Sequence, residues 1–200
     1  MKAVIVAAGK GSRLMSEYPK TLLPFGKETI LSTILKNFSQ VDISEIIIVV
    51  GYKSDYIRDY LKHNQNFGME ITLIENPEWQ RGNGISALAA AIAVRDENFI
   101  LSMSDHIVGV DALKKIVNNP SKKNLLLVDP VVDGIYDLDD ATKVLVNSKS
   151  IQAIGKELDQ YNGIDCGIFK LNYRFFISMI EQLQFGKESI SAAIKGLIER

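Results

Sequence analysis

Near the amino terminus, small residues and two cations are spaced so that they can bind a phosphate chain. The segment Ala3–Lys20 has the sequence AVIVAAGKGSRLMSEYPK, in which an apolar stretch typical of a buried β-strand runs into a glycine turn. Gly9 and Gly11 permit positive φ and let successive backbone N–H groups approach an anion. Arg13 and Lys20 add fixed positive charge beside them. This combination predicts a phosphate-binding loop.

The spacing of this loop differs from two common phosphate-binding motifs. The dinucleotide fingerprint requires a third glycine where the chain has Leu14. The Walker A motif requires a glycine at the position of Val4 and a serine or threonine at the position of Gly11. An ordinary βα turn with two exposed cations is the alternative, but the ordered series of small residues followed by Pro19 and Lys20 favours phosphate binding.

A second glycine segment, Arg81–Ser86, precedes a predicted helix over Ala87–Val94. Asn83 carries an amide donor and an acceptor that suit the edge of a base or a ribose. The competing explanation is that Ser86 is the N-cap of the helix, which makes Gly82–Gly84 a capping loop without a ligand. The position of the segment relative to the first loop favours ligand binding.

A carboxylate follows the predicted strand Asn98–Ser102. Asp105 is expected at the carboxyl end of a central parallel strand, where open α/β sheets bind ligands. There it can hold Mg²⁺, which bridges phosphate oxygens. Two interpretations of the adjacent His106 stay open, a hydrogen-bonded residue at the rim and a contact to substrate.

Composition excludes several classes of protein. The chain has 200 residues, 46% of them apolar, which suits one well-buried domain. The net charge of −1 comes with dispersed basic residues, so we expect neither a nucleic acid nor a membrane as partner. No apolar run approaches the ~20 residues of a membrane span, and we expect a cytoplasmic protein. The single cysteine, Cys166, excludes an internal disulfide and a cysteine-cluster metal site.

Strands that alternate with helices predict a Rossmann-like three-layer αβα fold with a mostly parallel central sheet and a small antiparallel annex. The acidic segment Asp129–Asp140 is predicted to be a solvated loop. The main strands are predicted at Ala3–Ala7, Glu45–Val50, Met69–Ile74, Asn98–Ser102, Asn124–Val128 and Gly163–Leu171, and the annex strands at Ala141–Val146 and Ile151–Ile154. Helices are predicted from Glu28 onward and at Asp55–His63, Ala87–Val94, Asp111–Val117, Phe175–Leu183 and Ile190–Ile198.

The first loop resembles the signature of the sugar-phosphate nucleotidylyltransferase superfamily, in which a strand is followed by A-A-G-x-G-[TS]-R-L and then P-K. Further segments extend the resemblance over nearly the whole chain, to the CTP:inositol-1-phosphate cytidylyltransferases. These segments are Gly82–Gly84 with Ser86, Ser102–His106, Asp140–Lys143, Ile154–Leu158 and Ile164–Phe169.

The resemblance implies transfer of a cytidylyl group from CTP to inositol 1-phosphate, with Mg²⁺ as cofactor. Two alternatives stay open: another small phosphorylated acceptor, such as a sugar 1-phosphate or phosphocholine, and a nucleotide-binding module without turnover. The implied catalytic residues are Arg13, Lys20 and Asp105, with Asp105 as the metal ligand. The implied nucleotide-binding residues are Ala7, Ala8, Gly9, Lys10, Gly11, Ser12, Arg13, Lys20, Asn83 and Gly84, and the implied acceptor-binding residues are Lys143, Lys156 and Asp165.

The alternative for Lys143 and Lys156 is an exposed strand residue, and for Asp165 a carboxylate that caps local amides. Members of the superfamily usually continue into a further strand whose carboxylate is a second metal ligand, whereas this sequence stops at Arg200. Either that strand is missing or a carboxylate such as Asp165 serves instead. A homodimer is also compatible with the sequence.

Overall fold

The computed structural model describes residues 1–11, 17–95 and 97–199. Its strands are β1 (Ala3–Val6), β2 (Pro24–Phe25), β3 (Glu28–Thr29), β4 (Glu45–Val50), β5 (Glu70–Glu75), β6 (Phe99–Met103), β7 (Leu125–Asp129), β8 (Lys143–Asn147), β9 (Ser150–Gly155) and β10 (Gly163–Leu171). Its α-helices are α1 (Ile30–Ser39), α2 (Ser54–His63), α3 (Asn83–Ala89), α4 (Val110–Val117), α5 (Arg174–Leu183) and α6 (Ile190–Ile198). Short 3-10 helices lie at Lys20–Leu22, Gln65–Gly68 and Ala91–Val94.

The centre of the main sheet is parallel. The strand order is β5-β4-β1-β6-β10-β8-β9, and β7 also pairs with β10. Strands β5, β4, β1 and β6 run in one direction, and β10 is antiparallel to β6. The predicted α/β architecture is confirmed, and the hairpin β8–β9 forms the predicted antiparallel annex. Because β1, β4 and β6 are parallel, the segments that follow them meet at one edge of the sheet.

Two apolar layers cover the two faces of this sheet. In β1, Ala3 and Ile5 pack with α1, α2 and α4, whereas Val4 and Val6 pack with α3, α5 and α6. The side chains of β1 alternate between the faces, and both faces are buried. The continuous apolar run in the sequence follows from this burial, and the helices on either side give the three αβα layers.

The long strand β10 connects the main sheet to the annex. It pairs with β8 through Gly163 and Ile164, and with β6 through Ile168–Leu171. Its pairing with β7 changes register between Asp165 and Phe169, which is a bulge. Gly167 has a φ of +70° within this bulge. A bulge turns a side chain away from its regular direction, so this one determines where Asp165 points.

Helix α3 differs from its prediction, because it begins at Asn83 and not at Ala87. Its first turn is held by the segment before α6: the Gly84 N–H donates a 2.9 Å hydrogen bond to the carbonyl oxygen of Glu188. Ser86 lies inside the helix, where its hydroxyl accepts a hydrogen bond of 2.9 Å from Asn76 Nδ2. Ser86 as an N-cap is therefore excluded.

A second difference is a short hairpin, β2–β3, whose second strand, Glu28–Thr29, lies where the first helix was predicted to begin. The hairpin leads into a capping box at the start of α1, in which the side chains of Thr29 and Ser32 each accept a hydrogen bond from the other residue's N–H. Within the described part of the chain, no helix has both the length and the apolar character needed to cross a bilayer.

Candidate active site

The glycine turn after β1 is anchored to the neighbouring strand. The Ala7 N–H donates to the carbonyl of Val49 at 2.8 Å, and the Tyr52 N–H donates to the carbonyl of Ala8 at 2.9 Å. Beyond this anchor, Gly11 has a φ of +63°, and a Cβ built on it would lie 3.0 Å from the Cβ of Lys20. Glycine is therefore required at position 11 both by the backbone and by the approach of Lys20.

The turn has open space above it at Gly9. A Cβ built on Gly9 would have no described heavy atom within 4 Å, so a ligand can approach the backbone there. The side chain of Lys10 extends from the same turn, with its Nζ 5.7 Å from the centroid of the Tyr52 ring. The predicted contacts of Ser12 and Arg13 lie outside the described residues.

Lys20 and Asp105 form an ion pair at the edge of the sheet. Lys20 Nζ donates a hydrogen bond of 2.7 Å to Asp105 Oδ2, and His106 Nδ1 is 2.7 Å from Asp105 Oδ1. Burial favours the neutral acid, but the hydrogen bonds from His106 and Lys20 outweigh it and hold the pKa of Asp105 below its ordinary range. Asp105 is therefore an ionised carboxylate in the short segment that follows β6.

The ion pair borders a cavity of about 180 Å³, which we call the glycine-loop cavity. Its lining includes Gly9, Gly11, Lys20, Thr21, Trp79 and Asp105. Trp79 is positioned by close packing, because a Cβ built on Gly51 would lie 2.4 Å from the Cβ of Trp79. The cavity thus combines backbone N–H groups, a cation and an aromatic face, which are the groups that a nucleotide needs.

A second cavity, of about 300 Å³, lies toward the annex, and we call it the annex cavity. Its lining includes His106, Asp137, Asp140, Thr142, Lys156 and Asp165. Asn83 and Met103 line both cavities, so the two spaces adjoin. Asp105 lines the first cavity and the neighbouring His106 lines the second, which puts the Asp105–His106 hydrogen bond at their border.

Asn83 at this border also contacts helix α6. Its Oδ1 accepts a hydrogen bond of 2.9 Å from the Ile190 N–H, at the first residue of α6. Ile190 and Ser191 line the annex cavity. The side-chain oxygen of Asn83 is therefore already hydrogen-bonded within the protein. Because Asn83 lines both cavities, this bond connects the glycine-loop cavity to the start of α6, which forms part of the wall of the annex cavity.

Gly84 has a packing role. It is not among the described residues that line either cavity. A Cβ built on it would lie 2.4 Å from Met179 Sδ and 2.6 Å from the carbonyl oxygen of Glu188. Glu188 also accepts hydrogen bonds from Arg81 and from the Gly82 N–H. The glycines on either side of Asn83 thus allow α3 to pack closely against the segment before α6, and nucleotide binding by Gly84 stays a prediction.

The two predicted acceptor lysines occupy different positions. Lys156 lines the annex cavity and forms an ion pair with Asp140. Lys143 is not among the described residues that line either cavity. Its Nζ donates a 2.6 Å hydrogen bond to the carbonyl oxygen of Lys156. The same Nζ lies 5.7 Å from the centroid of the Tyr161 ring. The structure therefore gives Lys143 a contact with the backbone of Lys156, not with the cavity.

Asp165 lies in the annex cavity because of the bulge in β10. Its Oδ1 accepts a 2.7 Å hydrogen bond from the Gly167 N–H. A Cβ built on Gly167 would lie 2.7 Å from the Cγ of His106, so the glycine lets the imidazole pack against the bulge. Burial raises the pKa of Asp165 to about 6, although this hydrogen bond and the charge of His106 oppose the shift.

Thr21, Trp79 and Asp140 line the two cavities but are not among the site residues predicted from the sequence. The segment Asp129–Asp140, predicted to be a solvated loop, ends at the annex cavity, where Asp140 is a lining residue and contacts Lys156. The position of Asp140 directly before the Ala141–Lys143 motif was the one available signal. Trp79 carried no signal, because its role depends on the packing of a loop against Gly51.

Comparisons with known proteins show what this chain is similar to. The family model of the MobA-like NTP transferase domain matches residues 3–137. The bifunctional IPC transferase and DIPP synthase of Aquifex aeolicus is 35% identical over 191 residues, which are 93% of this chain and 42% of that protein. The protein of the same name from Archaeoglobus fulgidus is 35% identical over 176 residues, 88% of this chain and 34% of that protein. The chain thus spans less than half the length of these relatives.

A solved structure with a similar fold is the inositol-1-phosphate CTP transferase from T. maritima. It is 26% identical, with a TM-score of 0.87, and the alignment covers 99% of this chain and 81% of that chain. The similarity therefore includes the annex as well as the parallel centre of the sheet.

Proposed function

The chain is a nucleotidyltransferase of the MobA-like NTP transferase domain family, and from this premise we propose that it transfers a cytidylyl group from CTP to inositol 1-phosphate. The products are CDP-inositol and pyrophosphate. The observation that carries the proposal is the pair of adjoining cavities, one lined by the glycine turn after β1 and Lys20, and one with polar groups suited to a polyol phosphate. The similarity over 99% of the chain to an inositol-1-phosphate CTP transferase supports this choice of substrates.

The glycine-loop cavity binds the nucleotide in this proposal. The N–H groups around Gly9 and Gly11 hold phosphate oxygens, and Lys20 adds a positive charge beside them. Arg13 is assigned to the same role from the sequence signature. Trp79, in the same cavity, offers an aromatic face against which a base can pack. These groups neutralise and orient the triphosphate before an acceptor arrives.

Asp105 is the proposed ligand of Mg²⁺. Its pKa lies below the ordinary range, so it is ionised at neutral pH, and it lines the cavity assigned to the phosphates. Among the described residues, no group of three or more potential ligand side chains surrounds a common point. Mg²⁺ is often held by one or two carboxylates together with substrate phosphates and water, so Asp105 can serve together with the phosphates of the nucleotide. When bound, the ion supplies positive charge to the phosphate oxygens.

The annex cavity binds the acceptor in this proposal. Lys156 offers a cation for the acceptor phosphate, and the carboxylates of Asp140 and Asp165 can accept hydrogen bonds from hydroxyl groups. Asp165 is also the candidate for a second metal ligand. A phosphate oxygen of the acceptor attacks the α-phosphorus of CTP, and pyrophosphate leaves. An acceptor phosphate is already an anion near neutral pH, so the residues need to position and neutralise it rather than remove a proton.

The proposal is tested by measuring pyrophosphate release with Mg²⁺ over CTP, UTP, ATP and GTP, each combined with inositol 1-phosphate, glucose 1-phosphate and phosphocholine. We expect release with CTP and inositol 1-phosphate. A Lys20→Ala variant prepared in the same way is the control for contaminating activity. Pyrophosphate release with a different nucleotide and acceptor would support a nucleotidyltransferase reaction but change the assigned substrates. Binding of CTP without pyrophosphate release for any acceptor would favour a nucleotide-binding module without turnover.

The second activity in the names of the longer relatives is not part of this proposal. The chain aligns with 42% of the Aquifex aeolicus protein, so an activity that resides in the remainder of that protein has no counterpart among these residues. A cytoplasmic location, a homodimer and the absence of nucleic-acid and membrane partners stay predictions from the sequence.

A further inference from the structure

Thr21, a residue that lines the glycine-loop cavity, has a buried hydroxyl without a hydrogen-bond partner. Within residues 1–11, 17–95 and 97–199, Thr21 Oγ1 exposes less than 1 Å² and forms no hydrogen bond. The whole residue is 2% exposed. A buried hydroxyl without a partner is unfavourable, because it has lost its hydrogen bonds to water and gained none in return.

The other buried hydroxyls of the described residues have partners. Ser32 and Ser178 donate to Glu28 Oε2 and to the Ala193 carbonyl at 2.8 and 2.7 Å. Ser86 accepts from Asn76, and Ser102 donates to a backbone carbonyl at 3.1 Å. Buried polar groups are normally paired in this way, so the exception at Thr21 requires its own explanation.

Local structure gives no reason for the hydroxyl. Thr21 is the middle residue of the 3-10 helix Lys20–Leu22, whose backbone bonds run from the Leu22 N–H to Pro19 at 2.9 Å and from the Leu23 N–H to Lys20 at 3.1 Å. The turn is thus closed by main-chain groups. An apolar residue of the same shape, such as valine, would satisfy the packing without leaving an unpaired oxygen.

The position of Thr21 indicates what its partner is. It lines the glycine-loop cavity together with Gly9 and Gly11, and it directly follows Lys20. The neighbouring groups include N–H donors, the Lys20 cation and its partner Asp105, the carboxylate assigned to Mg²⁺ in the proposed function, and a metal-bound phosphate suits this set. A hydroxyl can donate to an anionic oxygen, and such charge-assisted hydrogen bonds are stronger than neutral ones.

We propose that the hydroxyl of Thr21 donates a hydrogen bond to a phosphate oxygen of the bound nucleotide, which makes Thr21 a further nucleotide-binding residue. The identity of the nucleotide rests on the proposed function, whereas the hydrogen bond from Thr21 to a phosphate oxygen does not depend on it. Because the oxygen is closed to solvent in this structure, binding has to open the cavity beside Lys20.

The test compares Thr21→Val, which keeps the shape and removes the hydroxyl, with Thr21→Ser, which keeps the hydroxyl. For each protein we would measure the Tm without ligand and the Kd for CTP and for inorganic tripolyphosphate, by calorimetry with Mg²⁺. We expect Thr21→Val to have an unchanged or higher Tm and a Kd raised about 10-fold for both ligands, since a charge-assisted bond is lost. Thr21→Ser should stay within about 3-fold of the parent protein, because its hydroxyl can still donate.

Other outcomes would overturn the inference in distinct ways. A strong fall in Tm for Thr21→Val would mean that the hydroxyl bonds within the folded protein. An unchanged Kd for both ligands would mean that no phosphate contact exists. A raised Kd for CTP alone would move the contact to the base or the ribose. If the parent protein binds tripolyphosphate but not CTP, the proposed function fails, and the tripolyphosphate arm still decides the role of Thr21.

Discussion

Lys20 Nζ lies 2.7 Å from Asp105 Oδ2, so two residues that are 85 positions apart in the chain form one ion pair at the carboxyl edge of the sheet. The sequence had suggested separate roles for them, a phosphate contact for the lysine and a metal ligand for the carboxylate. In the ligand-free protein each neutralises the other. The ion pair therefore lowers the electrostatic cost of holding both charges at the edge of the cavity.

The first prediction concerns Lys20. We expect Lys20→Ala to lower the rate of pyrophosphate release by ~10² or more, because it removes a fixed charge that stabilises the phosphates in the transition state. Lys62→Ala, on the exposed side of α2, is the matched control and should retain the parent rate. Steady-state kinetics with CTP and inositol 1-phosphate measure both. A Lys20→Ala rate close to that of the control would remove Lys20 from the catalytic assignment.

The second prediction concerns Asp105 and Mg²⁺. Asp105→Asn keeps the shape of the side chain but removes its charge, so we expect turnover to fall by ~10² or more. Chelation of Mg²⁺ should abolish the activity of the parent protein, and its restoration should require a higher Mg²⁺ concentration in the variant. Asp59→Asn on α2 is the control for loss of a carboxylate elsewhere. Full activity of the parent protein in excess chelator would contradict the metal assignment.

The third prediction separates the two functions of Asn83. Asn83→Asp keeps the Oδ1 that accepts from the Ile190 N–H, but loses the amide donor and adds a negative charge in the cavity. We expect it to retain the parent Tm and to raise the KM for CTP. Asn83→Ala also loses the contact with α6, and the loss of about one hydrogen bond should raise the KM of both substrates several-fold. Equal KM values in all three proteins would show that Asn83 only joins two elements.

The fourth prediction concerns packing at Gly84. A Cβ at this position would lie 2.4 Å from Met179 Sδ and 2.6 Å from a backbone oxygen, so Gly84→Ala should lower the free energy of unfolding by about 1–3 kcal/mol. Gly155→Ala is the control, because a Cβ there has no described heavy atom within 4 Å and its effect should stay within about 0.5 kcal/mol. Urea unfolding measures both variants. Equal effects would contradict the close approach of α3 to α5.

The fifth prediction follows from the raised pKa of Asp165, which is about 6 in the folded protein. An aspartate in the unfolded chain has a pKa of about 3.9. Between this pKa and that of the folded state, Asp165 is protonated in the folded protein but ionised in the unfolded chain. The contribution of Asp165 to the free energy of unfolding therefore falls as pH rises from about 4 to 6.

The isosteric variant Asp165→Asn isolates this contribution, because its Oδ1 can still accept from the Gly167 N–H. Relative to the parent protein, we expect the variant to gain about 2 kcal/mol of unfolding free energy between pH 4 and pH 7. Denaturant unfolding at a series of pH values measures the difference. A constant difference over this range would show that Asp165 titrates as an ordinary exposed carboxylate.

Local patterns were sufficient to predict most strands and helices and the glycine turn after β1. The strands Glu45–Val50 and Gly163–Leu171 have the predicted bounds. In the first, the uninterrupted apolar run Ile46–Val50 leaves few other solutions. The glycine turn at Gly9 and Gly11 was predicted from the conformations that those residues permit. Each of these features depends on residues that are neighbours in the sequence.

The tertiary structure decided the features that depend on distant residues. Helix α3 begins at Asn83 because the carbonyl of Glu188, more than 100 positions away, accepts from its first turn. Lys156 lines the annex cavity, whereas Lys143 contacts a backbone carbonyl, although both belong to short motifs on paired strands. Periodicity describes which face of an element is buried, but only the packed fold brings particular atoms within hydrogen-bond distance. The sequence therefore determined the chemistry available at the sheet edge, and the tertiary structure decided which side chains share a cavity there.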